Sequence, residues 1–170
     1  MQKIEFTTQD NQVLQGFFYP VSKAKGTVLL ASALGVPQQF YKYYAQFLVE
    51  NGYQCLTFDY RGTGLSTYQG NIRNIELSHW GTLDLEAAIQ EAISRAALVN
   101  ADQEVFLMGH SIGGQLLGLA KSANSLKAAI FVASSAPFWK RWSFPKKIRI
   151  GFVCNFLLPV LSIGRDMYPA

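Results

Sequence analysis

The chain has 170 residues, of which 49% are apolar and 14% aromatic, and carries a net charge of +4. That length sets one main domain as the expectation, and the apolar share is enough for a sizeable core, which excludes a disordered chain. Two cysteines, Cys55 and Cys154, lack metal-ligand spacing and exclude a disulfide framework, so neither a metal nor a cofactor is implied.

The first five residues, Met1-Gln2-Lys3-Ile4-Glu5, lack an apolar signal core. The longest apolar stretch, residues 150–163, carries Asn155 and Pro159 and is too short to cross a bilayer. A cytoplasmic protein without stable membrane insertion is the expectation. The basic excess clusters late, at Lys140, Arg141, Lys146, Lys147 and Arg149, interleaved with Trp139, Trp142 and Phe144. A solvated stretch leading into an amphipathic helix fits this pattern better than a nucleic-acid or membrane surface, so no nucleic-acid partner is expected.

In chain order, residues 3–8 and 13–19 read as strands of an antiparallel hairpin, separated by the polar turn Gln9-Asp10-Asn11-Gln12. Residues 27–33 form a continuous apolar run, as a strand buried on both faces requires. Residues 40–50 show helical spacing through Tyr44, Phe47 and Leu48, and Asn51-Gly52 stops the helix. Residues 53–58 read as another buried strand, after which Asp59-Tyr60-Arg61-Gly62-Thr63-Gly64 turns away.

A long helix is predicted over residues 80–97. Its apolar positions Leu85, Ala88, Ile89, Ala92, Ile93 and Ala96 recur every three or four residues and mark one buried face. A strand over 104–108, a helix over 112–121 and a strand over 128–133 complete an alternation that implies an α/β fold with a mainly parallel sheet. Residues 1–136 are expected to form this core. Beyond Ala136-Pro137 the composition turns aromatic, basic and then apolar, and residues 137–170 read as the start of a lid.

The most informative motif is Gly109-His110-Ser111-Ile112-Gly113-Gly114, directly after the apolar run 104–108. Gly-x-Ser-x-Gly between a buried strand and a helix reads as a nucleophile elbow, a turn so tight that Ser111 is forced into a strained conformation with its hydroxyl exposed. Gly109 and Gly113 supply the small flanking residues that the close backbone approach needs. The following helix would aim unpaired N–H groups at a developing oxyanion.

An absence is equally informative. In this architecture the acid and the histidine follow the serine in the chain. After Ser111 there is no histidine, and the only side-chain carboxylate is Asp166. His110 lies inside the elbow and reads as a packing residue. His79 reads as a helix N-terminal turn residue, with a substitute base as the sharper alternative. A serine hydroxyl without a base is a poor nucleophile at neutral pH.

The chain resembles the α/β-hydrolase superfamily, and within it bacterial hydrolases near serine aminopeptidases and monoacylglycerol lipases. Four motifs carry the likeness: Ala33-Leu34-Gly35-Val36-Pro37, Phe58-Asp59-Tyr60-Arg61-Gly62-Thr63-Gly64-Leu65-Ser66, Trp80-Gly81-Thr82-Leu83-Asp84-Leu85, and the elbow. The resemblance implies an α/β-hydrolase fold truncated before its last strands, with Ser111 as nucleophile and the N–H groups of Ile112 and Leu34 as oxyanion donors. Many relatives have His-Gly before the Leu34 position, where this chain has Ser32-Ala33. Asp59 and Arg61 are expected to organise their turn.

The resemblance further implies a serine hydrolase acting on an ester, thioester or amide, with a small-molecule acyl substrate. The apolar lid residues Phe152, Val153, Phe156, Leu157, Leu158, Val160 and Leu161 lean towards a lipophilic acyl group. Relatives continue through a lid and two further strands, so a fragment of a longer hydrolase is the leading expectation, with strand 128–133 left as an uncovered edge. The rival expectation is a catalytically inactive, hydrolase-like binding protein.

Overall fold

A computed structural model describes residues 1–135, 140 and 142–157. Six strands form one sheet: β1 (Gln2–Thr7), β2 (Val13–Tyr19), β3 (Thr27–Ala31), β4 (Gln54–Phe58), β5 (Val105–His110) and β6 (Ala128–Val132). Their spatial order is β1-β2-β4-β3-β5-β6. β1 and β2 form the expected antiparallel hairpin, and β2 also runs antiparallel to β4. The pairs β3–β4, β3–β5 and β5–β6 are parallel. The hairpin turn closes through Thr8 N–H to Gln12 O at 2.9 Å, with Asn11 in the left-handed region at φ 64°.

The two central strands are buried along their whole length, which is why they read as unbroken apolar runs. Successive residues of β3 serve opposite faces. Leu29 and Ala31 pack with Leu56, Phe58 and Leu107 in the cluster that includes Leu85, Ala88, Ile89, Ala92 and Ala96. Val28 and Leu30 pack with Cys55, Met108, Tyr41, Ala45 and Leu48. Burial drives the Cys55 thiol pKa far above its ordinary value, so it stays protonated within the core.

Helix boundaries differ from expectation in three places. The segment 40–50 is split into a 3₁₀ turn (Gln38–Tyr41) and α1 (Lys42–Glu50). Its buried face is Tyr41, Ala45 and Leu48, whereas Tyr44 and Phe47 are exposed. Aromatic residues stand on both sides of this helix, and of the three positions that show the helical spacing only Leu48 faces the core.

The long helix is composite: α2 (Leu77–His79), a π-helical segment (Trp80–Leu85) and α3 (Glu86–Val99). Widening to π geometry lets Trp80, Gly81, Asp84 and Leu85 all turn inward. The helix predicted over 112–121 is only α4 (Ile112–Gln115), followed by a 3₁₀ segment (Leu116–Leu119) that ends where Ala120 adopts extended ψ of 128°. Three glycines in close succession (Gly113, Gly114 and Gly118) explain its brevity.

The chain divides into two compact units, Met1–Ser135 and Ala136–Ala170. In the second, α5 (Phe144–Phe152) starts with Pro145 in its first turn and passes into a π-helical turn (Val153–Leu157). Phe144, Ile148, Phe152 and Phe156 are exposed at four-residue spacing. Much of the expected lid, including Trp139, Leu158, Val160, Leu161 and Asp166, lies outside the described residues. Among the described residues no helix is long and apolar enough to cross a membrane.

Candidate active site

β5 ends at His110 and α4 begins at Ile112, so Ser111 alone makes the turn between them. Its backbone sits at φ 52°, ψ −114°, which a side-chain-bearing residue holds only under strain of about 1–3 kcal/mol. The Ser111 N–H donates to Val132 O at 2.9 Å, which ties the elbow to β6. The half-buried serine is therefore fixed at its backbone.

The glycines show why the turn closes. A Cβ on Gly109 would meet Gly114 Cα and N at 2.5 Å, and one on Gly113 would press on the Ala31 and Ser32 carbonyls. Both contacts are with backbone, which cannot swing aside. Gly114, to which sequence reasoning assigned no role, is confined by side chains instead, because its Cβ would lie 2.7 Å from the Phe131 ring and against Ser134. The Gly-Gly repeat was the available signal.

The loop after β3 forms a tight turn in which Val36 N–H donates to Ala33 O at 3.1 Å and Gly35 sits at φ 69°. Leu34 occupies its second position, and among the described residues its N–H finds no acceptor. Ile112 is the first residue of α4, so its N–H has no partner within the helix. Because α4 is a single turn, any pull on an anion comes from these individual N–H groups more than from a long-helix dipole.

Asp59 organises its surroundings as expected. Its buried carboxylate accepts from Gln38 N–H at 2.8 Å, Gln38 Nε2 at 2.9 Å and Leu65 N–H at 2.9 Å. A side chain at Gly64 would collide with that carboxylate. Arg61 is buried as well, held by Asp84 through Nε at 2.7 Å and by Asp10 through two guanidinium nitrogens at 2.6 and 2.9 Å. Its hydrogen bonds to Asp10 and Asp84 raise its pKa against the opposing effect of burial. Burial raises the Asp84 carboxyl, opposed by the Arg61 contacts. Sequence reasoning assigned no role to Gln38, Asp10 or Asp84.

Both histidines are engaged. His79 Nδ1 accepts from Glu76 N–H at 3.2 Å in the first turn of α2. His110 Nδ1 lies 2.9 Å from the Tyr41 hydroxyl, which also accepts from Ala33 N–H at 3.0 Å. The Tyr41 and His110 rings meet edge to face at 6.0 Å.

The chain as a whole is similar to known proteins. One curated relative is a polyketide transferase, GrgF, from a Penicillium species. It is 30% identical over 132 residues, covering 76% of this chain and 44% of that protein. Among solved structures, a soluble variant of monoglyceride lipase from Saccharomyces cerevisiae, in complex with a substrate analog, superposes with a TM-score of 0.66 at 23% identity. That match covers 92% of this chain and 53% of the lipase. A thermostable carboxyl esterase from Bacillus coagulans, in complex with glycerol, gives 0.65 at 16% identity, covering 98% of this chain and 53% of the esterase.

The chain thus spans about half the length of the relatives it matches. The fold is the α/β-hydrolase fold. The family model for serine aminopeptidase, S33, matches residues 22–165, well over half of the chain. The chain accordingly belongs to the S33 serine aminopeptidase family of hydrolases.

Proposed function

We propose that Ser111 is the nucleophile of a serine hydrolase that cleaves an ester, thioester or amide of a small lipophilic acyl substrate. The observation that carries this reading is the strained backbone of Ser111, wedged between β5 and α4 by glycines that admit no side chain. Strain of this kind persists where the surroundings impose it, and it clusters at active sites.

In the proposed reaction Ser111 Oγ attacks the carbonyl carbon, and the carbonyl π electrons move onto oxygen. The N–H groups of Leu34 and Ile112 hydrogen-bond that oxyanion. Collapse of the tetrahedral intermediate expels the leaving group and leaves an acyl-serine, which water then hydrolyses. The serine proton needs a base. His79 and His110 are both occupied elsewhere, and no histidine follows Ser111.

The base and its acid partner therefore come from outside these 170 residues, and residues 137–170 begin a lid. The exposed apolar edge of β6, with Ile130, Phe131 and Val132, supports a further element covering that side.

Imidazole supplied in solution tests this reading. Hydrolysis of p-nitrophenyl butyrate by the chain should rise with imidazole beyond the buffer reaction, and Ser111→Ala should abolish that excess. Equal imidazole dependence in both proteins would contradict the proposal.

A further inference from the structure

We infer that Tyr41 is a positioning residue whose phenol locks the loop carrying Leu34 to the elbow carrying Ser111 and Ile112, setting the separation of the two oxyanion donors. This inference rests on the proposed role of Ser111.

Tyr41 is buried at the end of the Gln38–Tyr41 3₁₀ turn. Its hydroxyl has one proton and two lone pairs. One lone pair accepts from Ala33 N–H at 3.0 Å, and the other contact is His110 Nδ1 at 2.9 Å. Among the described residues no other acceptor lies within reach of the phenol proton. A buried hydroxyl proton left unpaired costs about 1–3 kcal/mol, so the proton goes to Nδ1. The hydrogen-bonded chain then runs from Ala33 N–H to the Tyr41 hydroxyl to His110 Nδ1, and the neutral imidazole carries its own proton on Nε2.

Two consequences follow. First, Ala33 immediately precedes Leu34, and His110 immediately precedes Ser111, so one phenol spans both walls of the proposed oxyanion hole. The start of α4 lies so close to the same loop that a Cβ on Gly113 would collide with the Ala31 and Ser32 carbonyls, which leaves the loop between Gly113 and Tyr41. The 3₁₀ turn that carries Tyr41 is itself anchored by Asp59, through the backbone and side chain of Gln38. Second, neither nitrogen of His110 offers a free lone pair, because Nδ1 is accepting and Nε2 is protonated. His110 is thereby unfit to serve as the general base while this bond stands.

The test uses phenylboronic acid, whose boron takes Ser111 Oγ as a ligand while the hydroxyl proton passes to solvent. Adduct formation is an equilibrium and needs no general base, and the tetrahedral boronate depends on the oxyanion donors. Wild type should form an adduct at Ser111 by ¹¹B NMR, and Tyr41→Phe should weaken it about tenfold. His110→Ala should weaken it by a similar factor, and the double variant by no more than the larger single loss, because both changes break one chain of bonds.

A role confined to packing would leave the imidazole unmoved. ¹⁵N NMR should therefore show His110 as the Nε2–H tautomer in wild type and a mixture in Tyr41→Phe. Wild-type affinity in Tyr41→Phe, or an unchanged tautomer, would overturn the inference and leave the Ser111 reading intact. Absence of any Ser111 adduct in wild type would instead overturn the nucleophile reading and this inference with it. If Tyr41→Phe does not fold, the boronate affinity of His110→Ala decides: an affinity equal to wild type would overturn the inference.

Discussion

The Arg61 guanidinium and the Asp84 carboxylate meet at 2.7 Å with side-chain exposures of 2% and 0%, making a buried ion pair beneath the turn that follows β4. Asp84 also accepts from the Arg61 backbone N–H at 2.9 Å, so one carboxylate fixes both the charge and the chain direction of that residue. Removing it leaves a buried cation with only the outer partner Asp10. Asp84→Ala should destabilise the protein by about 3–5 kcal/mol, measured by urea denaturation. A loss below about 1 kcal/mol would mean that the pair does not organise the turn.

Asp10, the outer partner, supplies a pH signature. Its hydrogen bonds from Arg61 draw its pKa from 3.8 down to about 2. A carboxyl depressed in the folded state contributes stability that is complete above the unfolded pKa near 4 and is lost as pH falls through about 2. Its side chain is 42% exposed, so solvent screening limits the contribution to about 1 kcal/mol. Asp10→Asn should be less stable than wild type by that amount at about pH 7, and the gap should close between about pH 4 and about pH 2. A gap that persists unchanged at about pH 2.5 would contradict this assignment.

The glycines of the elbow region separate into confined and free positions. Gly109→Ala drives a Cβ into the Gly114 backbone and should destabilise by more than about 2 kcal/mol. Gly118 has nothing within 4 Å of the equivalent Cβ position. Gly118→Ala should therefore be neutral, or stabilising by up to about 0.5 kcal/mol, through the unfolded state. Thermal melts of the two variants check the contrast, and equal losses would refute it.

Strain at Ser111 predicts a conflict between stability and chemistry. Glycine adopts φ 52°, ψ −114° without a Cβ penalty, whereas alanine, like serine, holds it under strain. Ser111→Gly should thus be more stable than Ser111→Ala by about 1 kcal/mol, although both lack the hydroxyl. Equal denaturation midpoints would place the strain elsewhere.

Much of this architecture was legible in the sequence, for physical reasons that differ by element. β3 and β4 are buried on both faces, so their apolar runs leave no other reading, and α3 declares itself through Ala88, Ile89, Ala92 and Ala96. The elbow is legible because its backbone geometry admits only small residues at Gly109 and Gly113. Less legible was α1, where Tyr44 and Phe47 look like core residues but stand exposed while Tyr41 and Ala45 face inward.

The contacts that tie the site together were illegible because they join distant parts of the chain through single polar atoms. Tyr41 reaches His110 across 69 positions, and Arg61 reaches Asp10 across 51. No local periodicity encodes such pairings. Asp84 stood within a recognised motif, but its inward turn depends on the π-helical widening of Trp80–Leu85, which helical spacing does not reveal.

The most direct test of the central claim is the site of covalent capture by a fluorophosphonate, read by peptide mass spectrometry. Serine hydrolases stripped of their base retain part of their rate advantage through the oxyanion hole. Slow labelling confined to Ser111 and absent from Ser111→Ala is therefore the predicted result. Labelling at another residue, or labelling that persists in Ser111→Ala, would contradict the assignment of Ser111 as the nucleophile.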